Sequence, residues 1–410
     1  MSERYPGGLI RKTPPTVTGP ATSGPLAGEG GSASGVWTLA DVLTYEKVDG
    51  WPKPVLPREL YAWGYNNSGQ LGLNDTVNRS SPVQVGSLTN WGSVSGGRAP
   101  SAHVLAITTS NQLYAWGLNT NGQLGLGDVV ARSSPVQIGA LTNWEQVSAG
   151  ETHTAAVKTD GTLWAWGFNQ FGQLGQGNVI SRSSPVQVGA LTAWSQVSCG
   201  DTATAAVKTD GTLWAWGYNG SGELGQNNRI NRSSPVQIGA LTTWASVASG
   251  DFHINAIKND GTMWAWGANG AGRLGDGTVI NRSSPVQIGA LTNWSQSSCS
   301  VEGSSAVKTD GTLWSWGEAN SGALGDGTVV DKSSPVQIGS LTTWAQVSIN
   351  SVSGMALKTD GTLWVWGNNS DGQLGLNDTA NRSSPVQVGV ATNWSTVSCA
   401  SDSQFATTKG

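Results

Sequence analysis

Apolar residues in this chain fall in short runs that alternate with polar ones, and the alternation returns at a fixed interval. One copy reads Val207-Lys208-Thr209-Asp210-Gly211-Thr212-Leu213-Trp214-Ala215-Trp216-Gly217. Asn219, Gly222-Glu223-Leu224-Gly225, Arg232-Ser233-Ser234-Pro235-Val236-Gln237 and Leu241-Thr242-Thr243-Trp244 follow it. The second aromatic of the pair recurs at Trp63, Trp116, Trp166, Trp216, Trp266, Trp316 and Trp366, a first interval of 53 residues and then five of 50. A fixed period of this size marks a repeat architecture.

Ala206-Val207-Lys208 and Leu213-Trp214-Ala215-Trp216 predict two β-strands. Asp210-Gly211 between them supplies the positive φ that a tight hairpin needs. Pro235-Val236-Gln237-Ile238 and Trp244-Ala245-Ser246-Val247 predict two more, with Gly, Asn and Pro punctuating the gaps. No window sustains a helical period. One repeat is therefore expected to be a four-stranded antiparallel unit that cannot bury both faces alone. Seven of them arranged radially cover one another, which predicts an all-β, seven-bladed β-propeller over residues 60–410. The aromatic content supports this: five repeats carry three Trp each, and the first two place Tyr61 and Tyr114 where the others begin the pair. Burying one Trp removes about 150–250 Å² from water, worth at most about 4–6 kcal/mol at about 25 cal/mol/Å².

The ring begins in mid-repeat. Leu60-Tyr61-Ala62-Trp63-Gly64 is the second half of a hairpin with no Thr-Asp-Gly before it, and Gln404-Phe405-Ala406-Thr407-Thr408-Lys409-Gly410 matches the missing half. The two are expected to pair in one shared blade, which removes the open sheet edges.

Residues 1–59 depart from the repeat. Met1–Ser34 is rich in Gly, Pro, Ser and Thr and reads as an extended arm that lies against its own propeller or a neighbour. Thr38 can cap a short helix near 39–47, with Asp41 at the capping-box position and Val36, Leu39, Val42 and Leu43 on one apolar side. Gly50-Trp51-Pro52-Lys53-Pro54 ends it. Leu9, Ile10, Val36, Trp37, Leu39 and Trp51 are the candidate anchoring residues of this arm.

Charge narrows the partners. The net charge is −4 over 410 residues and only 12% of residues are charged, which argues against a nucleic-acid footprint. Met1–Ile10 has no apolar signal-peptide core and no run is long enough to insert in a membrane. Cys199, Cys299 and Cys399 occupy the same place in alternate repeats. Alternate blades separate equivalent positions by more than the roughly 7 Å between Cα atoms that a disulfide spans, so the three read as free, buried thiols.

The repeat resembles the regulator-of-chromosome-condensation repeat family of seven-bladed propellers. The resemblance rests on Gly150-x-x-His153-Thr154-Ala155-Ala156, Asp160-Gly161-x-Leu163-Trp164-Ala165-Trp166-Gly167, Asn169, Gly172-Gln173-Leu174-Gly175 and Pro185, and it covers all seven repeats. The family's nucleotide-exchange members act through a wedge inserted in one blade, and five successive intervals of 50 residues leave no room for one. A second, shorter resemblance lies in Gly7-Gly8-Leu9-Ile10, Pro14-Pro15, Ala33-Ser34-Gly35-Val36-Trp37-Thr38-Leu39 and Gly50-Trp51-Pro52. It is similar to the leader of virion proteins of marine tailed bacteriophages, and implies a structural protein of a virus particle assembled in a bacterial cytoplasm.

Candidate chemistry is sparse. His103, His153 and His253 are the three histidines and share one repeat position, so they sit on separate blades instead of around one ion. The Asp-Gly pairs at 160, 210, 260, 310 and 360 read as turns. Gly-x-x-Gly-Gln-Leu-Gly recurs without a following helix and reads as a turn, not a phosphate loop. Arg79, Arg132, Arg182, Arg232, Arg282 and Arg382 precede Ser-Ser-Pro, with Lys332 in the remaining copy, and are expected to tie one blade to the next. No catalytic set, metal site or cofactor is expected.

Variation between copies carries more information. The loop before the His position reads Gly97-Arg98-Ala99-Pro100, Glu151-Thr152, Asp201-Thr202, Asp251-Phe252, Val301-Glu302-Gly303 and Ser351-Val352-Ser353. The position after Trp-Gly reads Tyr65, Leu118, Phe168, Tyr218, Ala268, Glu318 and Asn368. Arg98, Glu151, Asp201, Asp251, Phe252, Glu302 and Phe171 are the candidate partner-binding residues. The expected function is a non-enzymatic virion protein. Its arm joins capsid or tail, and its propeller is displayed in multiple copies as decoration, spacer or host-surface adhesin. The other reading is a cellular propeller that binds and regulates a protein partner.

Overall fold

The computed structural model describes residues 57–98 and 103–410; the expected helix near 39–47 and the anchoring residues Leu9, Ile10, Val36, Trp37, Leu39 and Trp51 lie outside the described residues. Within Pro57–Gly410, seven four-stranded antiparallel sheets form the blades of the expected propeller. The third blade, from the centre outward, contains Trp194–Cys199, Ala203–Lys208, Leu213–Gly217 and Arg232–Gln237. Its Asp-Gly hairpin forms as the sequence predicts, with Gly211 at φ +76°.

The blade is offset from the sequence repeat by one strand. Trp244–Ser249 pairs with His253–Lys258 and opens the fourth blade instead of completing the third. A periodic sequence can be cut anywhere, and only the pairing shows where the chain leaves the outer strand and returns to the centre. The same offset shapes the closure. The seventh blade takes Trp394–Ala400 and Ser403–Thr408 from one end of the propeller sequence and Leu60–Gly64 and Arg79–Gln84 from the other. Leu60 faces Thr407, Ala62 faces Phe405 and Gly64 faces Ser403. Glu59 and Thr408 complete the seam: the Glu59 amide donates to Thr408 Oγ1 and the Thr408 amide to the Glu59 carbonyl, both at 2.9 Å.

The core lies between blades. Trp216 is fully buried with Leu163, Leu174, Val188, Trp194 and Val197. Its indole N–H donates to the Gln173 carbonyl of the preceding blade at 2.9 Å. Gly175 permits this contact: a Cβ there would stand 2.7 Å from Trp216 Nε1, and its φ of +70° excludes most side chains. Asn169 holds the Gly172-Gln173-Leu174-Gly175 turn in shape, accepting from the Leu174 amide and donating to the Asn178 and Ile180 carbonyls. The recurrent Gln-Leu-Gly turn is thus the receptor for the next blade's tryptophan.

The first aromatic of each pair serves the hairpin. Lys158 Nζ sits 3.8 Å from the Trp164 ring centre and 4.7 Å from that of Trp144, and Lys208, Lys258, Lys308 and Lys358 repeat the arrangement. The Trp164 N–H donates to Thr162 Oγ1, which donates to Asp160. These bonds explain the sequence Lys-Thr-Asp-Gly-Thr-Leu-Trp.

The inner strands present unpaired edges to a central channel, which the chain covers with side chains. Gln146 accepts from the Val197 amide and donates to the Val197 carbonyl, both at 2.8 Å, and so copies the pairing of a missing strand. Ser148 accepts from the Cys199 amide at 2.9 Å. Ser95, Ser198, Ser298, Ser348 and Ser398 do the same for Ala149, Ser249, Ile349, Cys399 and Gly96. Ala248 breaks the ladder between the fourth and fifth blades.

Of the cations before Ser-Ser-Pro, Arg79, Arg132, Arg282, Lys332 and Arg382 pair within their own loops instead of tying blade to blade. Arg79, Arg132 and Arg382 pair with Asp75, Asp128 and Asp378 four residues earlier, and donate to the carbonyls of Val77, Val130 and Ala380. Arg282 pairs with Asp276 and Lys332 with Asp326. Each of these carboxylates lies in the cation's own loop, four to six residues earlier, so these cations brace that loop.

Candidate interaction face

Each blade sends two loops to one face of the ring. The amides of Phe168 and Tyr218, in the loops between third and outer strands, donate to the carbonyls of Thr152 and Thr202 at 2.9 Å. Those carbonyls lie in the loops that join inner and second strands, so Glu151 and Phe168, and Asp201 and Tyr218, share this face. The Asp-Gly hairpins occupy the opposite face, where the Thr159 and Thr209 amides donate to the Asn143 and Ala193 carbonyls of the blade connections.

Arg98 leaves the first blade and crosses the channel mouth. Its guanidinium pairs with Asp251 at 3.3 Å, donates to the Cys299 carbonyl at 3.0 Å and also to the Ser249 carbonyl. These partners belong to the fourth and fifth blades, so one side chain bridges the ring and caps a channel cavity of about 140 Å³ lined by Ser148, Ser198, Cys199, Ser298 and Cys399. Burial raises the Asp251 carboxyl above its usual range, and Arg98 opposes that shift.

Glu151 and Asp201 come together on adjacent blades. Burial, a hydrogen bond that the protonated Glu151 donates to Asp201, and the charges of Asp201 and Asp251 push the Glu151 carboxyl up to about 9. At neutral pH Glu151 therefore keeps its proton. Among the described residues no cation pairs with either.

Glu302 pairs with Arg273, which also donates to the Val301 carbonyl at 2.9 Å. Phe171 stacks edge-on between Phe168 and Tyr218, with ring centres 6.4 and 5.2 Å apart. Phe252 lies in the same layer of loops, outside this trio. The seven sequence-predicted residues thus resolve into a capped mouth (Arg98, Asp251), a carboxyl pair (Glu151, Asp201), an ion pair (Glu302) and a ring cluster (Phe171), with Phe252 apart.

Two residues escaped the sequence reading. Arg273 and Glu223 stand where most repeats carry the Gln of Gly-Gln-Leu-Gly, at Gln70, Gln123, Gln173 and Gln373. Glu223 is 1% exposed, and burial raises its carboxyl. The broken motif was a visible signal.

The remaining reactive groups are sealed in the walls. The Nε2 atoms of His103, His153 and His253 each lie 2.9 Å from a hydroxyl on the next blade, at Thr154, Thr204 and Ser304. The His253–Ser304 spacing is that of a base and nucleophile, yet both residues are 0% exposed and no substrate reaches them. Burial lowers His153 to about 3 and depresses His253 well below its ordinary value, so both rings stay neutral. The cysteines are free and buried, and burial raises Cys199 and Cys399 to about 12 and Cys299 to about 11, which keeps the thiols protonated and inert. Among the described residues no cluster of three His, Cys, Asp or Glu is arranged to hold a metal.

Fold and face together define a closed seven-bladed propeller with buried chemistry and one variable loop face. The regulator of chromosome condensation repeat model matches residues 59–106, 110–157, 160–207, 210–257, 260–307, 310–353 and 360–406, and the chain belongs to that family. Among curated relatives, the ultraviolet-B receptor of Arabidopsis thaliana is 42% identical over 84 residues, 20% of this chain and 19% of the receptor. A human probable E3 ubiquitin-protein ligase, HERC3, is 36% identical over 96 residues, 23% of this chain and 9% of the ligase. These matches thus span less than a fifth of either relative's length. Human WBSCR16 superposes with a TM-score of 0.77 at 20% identity, covering 86% of this chain and 99% of its own. Yeast RCC1 (Prp20), solved bound to Kap60, gives 0.75 at 19% identity over 87% of this chain and 89% of its own. At these identities the two structures share the fold with this chain.

Proposed function

We propose that this chain is a non-enzymatic protein-interaction module whose binding surface is the variable loop face. One observation carries the reading: the two faces are built differently by the same repeats. The hairpin face repeats Thr-Asp-Gly-Thr or its Asn-Asp-Gly-Thr variant in five blades, at Asp160, Asp210, Asp260, Asp310 and Asp360. The loop face varies from copy to copy, reading Glu151-Thr152, Asp201-Thr202, Asp251-Phe252, Val301-Glu302, Ser351-Val352 and Ser401-Asp402, with Arg98 in the first blade. Copies so alike elsewhere differ where a partner meets them. The yeast propeller Prp20, of the same fold, was solved bound to Kap60 and described with binding to Gsp1p and histones, which agrees with a propeller used as a docking platform.

The finer reading places the module on a tailed-bacteriophage particle, with residues 1–59 anchoring it to capsid or tail in multiple copies and the loop face displayed outward. It rests on the leader's resemblance to virion proteins. Mass spectrometry of purified particles from its source tests it. The full-length chain is expected in the particles, and a form lacking residues 1–59 is expected to fold but be missing from them. Absence of the full-length chain, or particles that still incorporate the shortened form, would contradict the virion reading and leave the cellular regulator.

A further inference from the structure

Two features of the loop face lie together on the second and third blades. The first is the ring trio. Phe168, Phe171 and Tyr218 are half-buried, span the second and third blades and meet edge to face. The place of Phe171 is taken elsewhere by Ser68, Asn121, Ser221, Ala271, Ser321 and Asp371, so the aromatic ring is not required by the loop it stands on. The second is the Glu151–Asp201 pair, one residue along the chain from the Thr152 and Thr202 carbonyls that hold Phe168 and Tyr218. Among the described residues no cation pairs with Glu151 or Asp201; Arg98 is held by Asp251 and Arg273 by Glu302. An unpaired carboxyl pair therefore borders an aromatic cluster across the same two blades. The protein itself shows what such surroundings take, since five lysines sit over tryptophan rings on its other face, Lys358 at 3.5 Å from the centre of Trp364.

We propose that Phe168, Phe171 and Tyr218 with Glu151 and Asp201 form a docking site for an arginine-bearing segment of a protein partner, the guanidinium stacked on the rings and its charge set against the two carboxyls. The proposal deepens the reading of the loop face and depends on it. Arginine fits better than lysine because a planar guanidinium stacks on a ring while its edge donates to carboxylates in a fork. Arrival of that charge favours ionised Glu151 and releases its proton to solvent. Asp251, the other carboxylate acting on Glu151, is held by Arg98. Affinity is therefore expected to rise with pH toward about 9, where Glu151 ionises unaided.

The test uses the full chain and fluorescence anisotropy with three labelled peptides of equal length: arginine-rich, lysine-rich and glutamate-rich. The arginine peptide is expected to bind most tightly, and more tightly at higher pH. Phe171→Ser and Tyr218→Ala install residues that other repeats carry at those places, so the fold is retained, as matching thermal melts will confirm. Each substitution is expected to weaken arginine-peptide binding about tenfold, as is Glu151→Gln with Asp201→Asn. Equal binding of arginine and lysine peptides with no loss in Phe171→Ser would show diffuse charge attraction and overturn the proposal. So would preference for the glutamate peptide, no binding of the arginine peptide, or self-association that Phe171→Ser abolishes. Each of these results removes the arginine site alone; partner contacts mapped to the hairpin face would remove the loop-face reading as well.

Discussion

Deleting residues 403–410 is expected to destroy the cooperative fold of the ring. The lost strand is the only link between Leu60–Gly64 and Trp394–Ala400 in the seventh blade. Its removal exposes two sheet edges in the interior of that blade and takes Phe405 from between Leu60, Val85, Trp91 and Trp116. Phe405 alone is 0% exposed, and Phe405→Ala is expected to cost about 3–5 kcal/mol against a total stability of about 5–15 kcal/mol for a typical domain. The whole strand exceeds what remains. Thermal unfolding followed by tryptophan fluorescence should show one sharp transition for the intact chain. For the deletion it should show a broad, low-temperature loss, with partial recovery when a peptide of residues 403–410 is supplied. An unchanged transition in the deletion would mean the ring closes by other contacts.

Trp216→Ala is the second large effect, and its contrast with Trp214→Ala makes it diagnostic. Trp216 fills the space between the second and third blades and is 0% exposed. Its carbonyl acceptor is not orphaned by the change, because Thr204 Oγ1 also donates to Gln173 O, at 2.8 Å. The loss is therefore mostly cavity and transfer energy, about 3–5 kcal/mol. Trp214 is half-buried, and its removal forfeits the Lys208 contact and the bond to Thr212, about 1–2 kcal/mol together. Urea unfolding of both variants should rank them in that order. Equal losses would contradict the division of each Trp pair into a core ring and a hairpin ring.

What could be read in the sequence was what local chemistry and a period determine. Asp210-Gly211 specified its hairpin, the recurring Trp specified large rings packed between blades, and the split repeat at Leu60 and Gln404 specified the closure. What could not be read depended on distance through space. Trp244 joins the fourth blade because of pairing with Lys258, and the period alone is indifferent to where a blade begins. Arg98 reaches Asp251 across the channel, a contact separated by 153 residues that no local pattern encodes. The bracing arginines are the opposite case: Asp128 stands four residues before Arg132, so the brace is encoded locally, while recurrence alone points to an interblade tie. The serine ladder was equally visible at Ser95, Ser148, Ser198, Ser298, Ser348 and Ser398, yet serine is so common in this chain that its register carried no contrast. Arg273 and Glu223 were legible only by comparing copies, since each motif looks ordinary until set beside Gly-Gln-Leu-Gly.

Both faces carry carboxylates, and that symmetry allows the interaction reading to be tested without knowing the partner. Carboxyl-directed cross-linking mass spectrometry on the full-length chain in a native extract of its source would locate the contacts. Partner cross-links are predicted at Glu151, Asp201, Glu302 and Glu318 on the loop face. Cross-links concentrated at Asp160, Asp210, Asp260, Asp310 and Asp360 on the hairpin face would contradict the account.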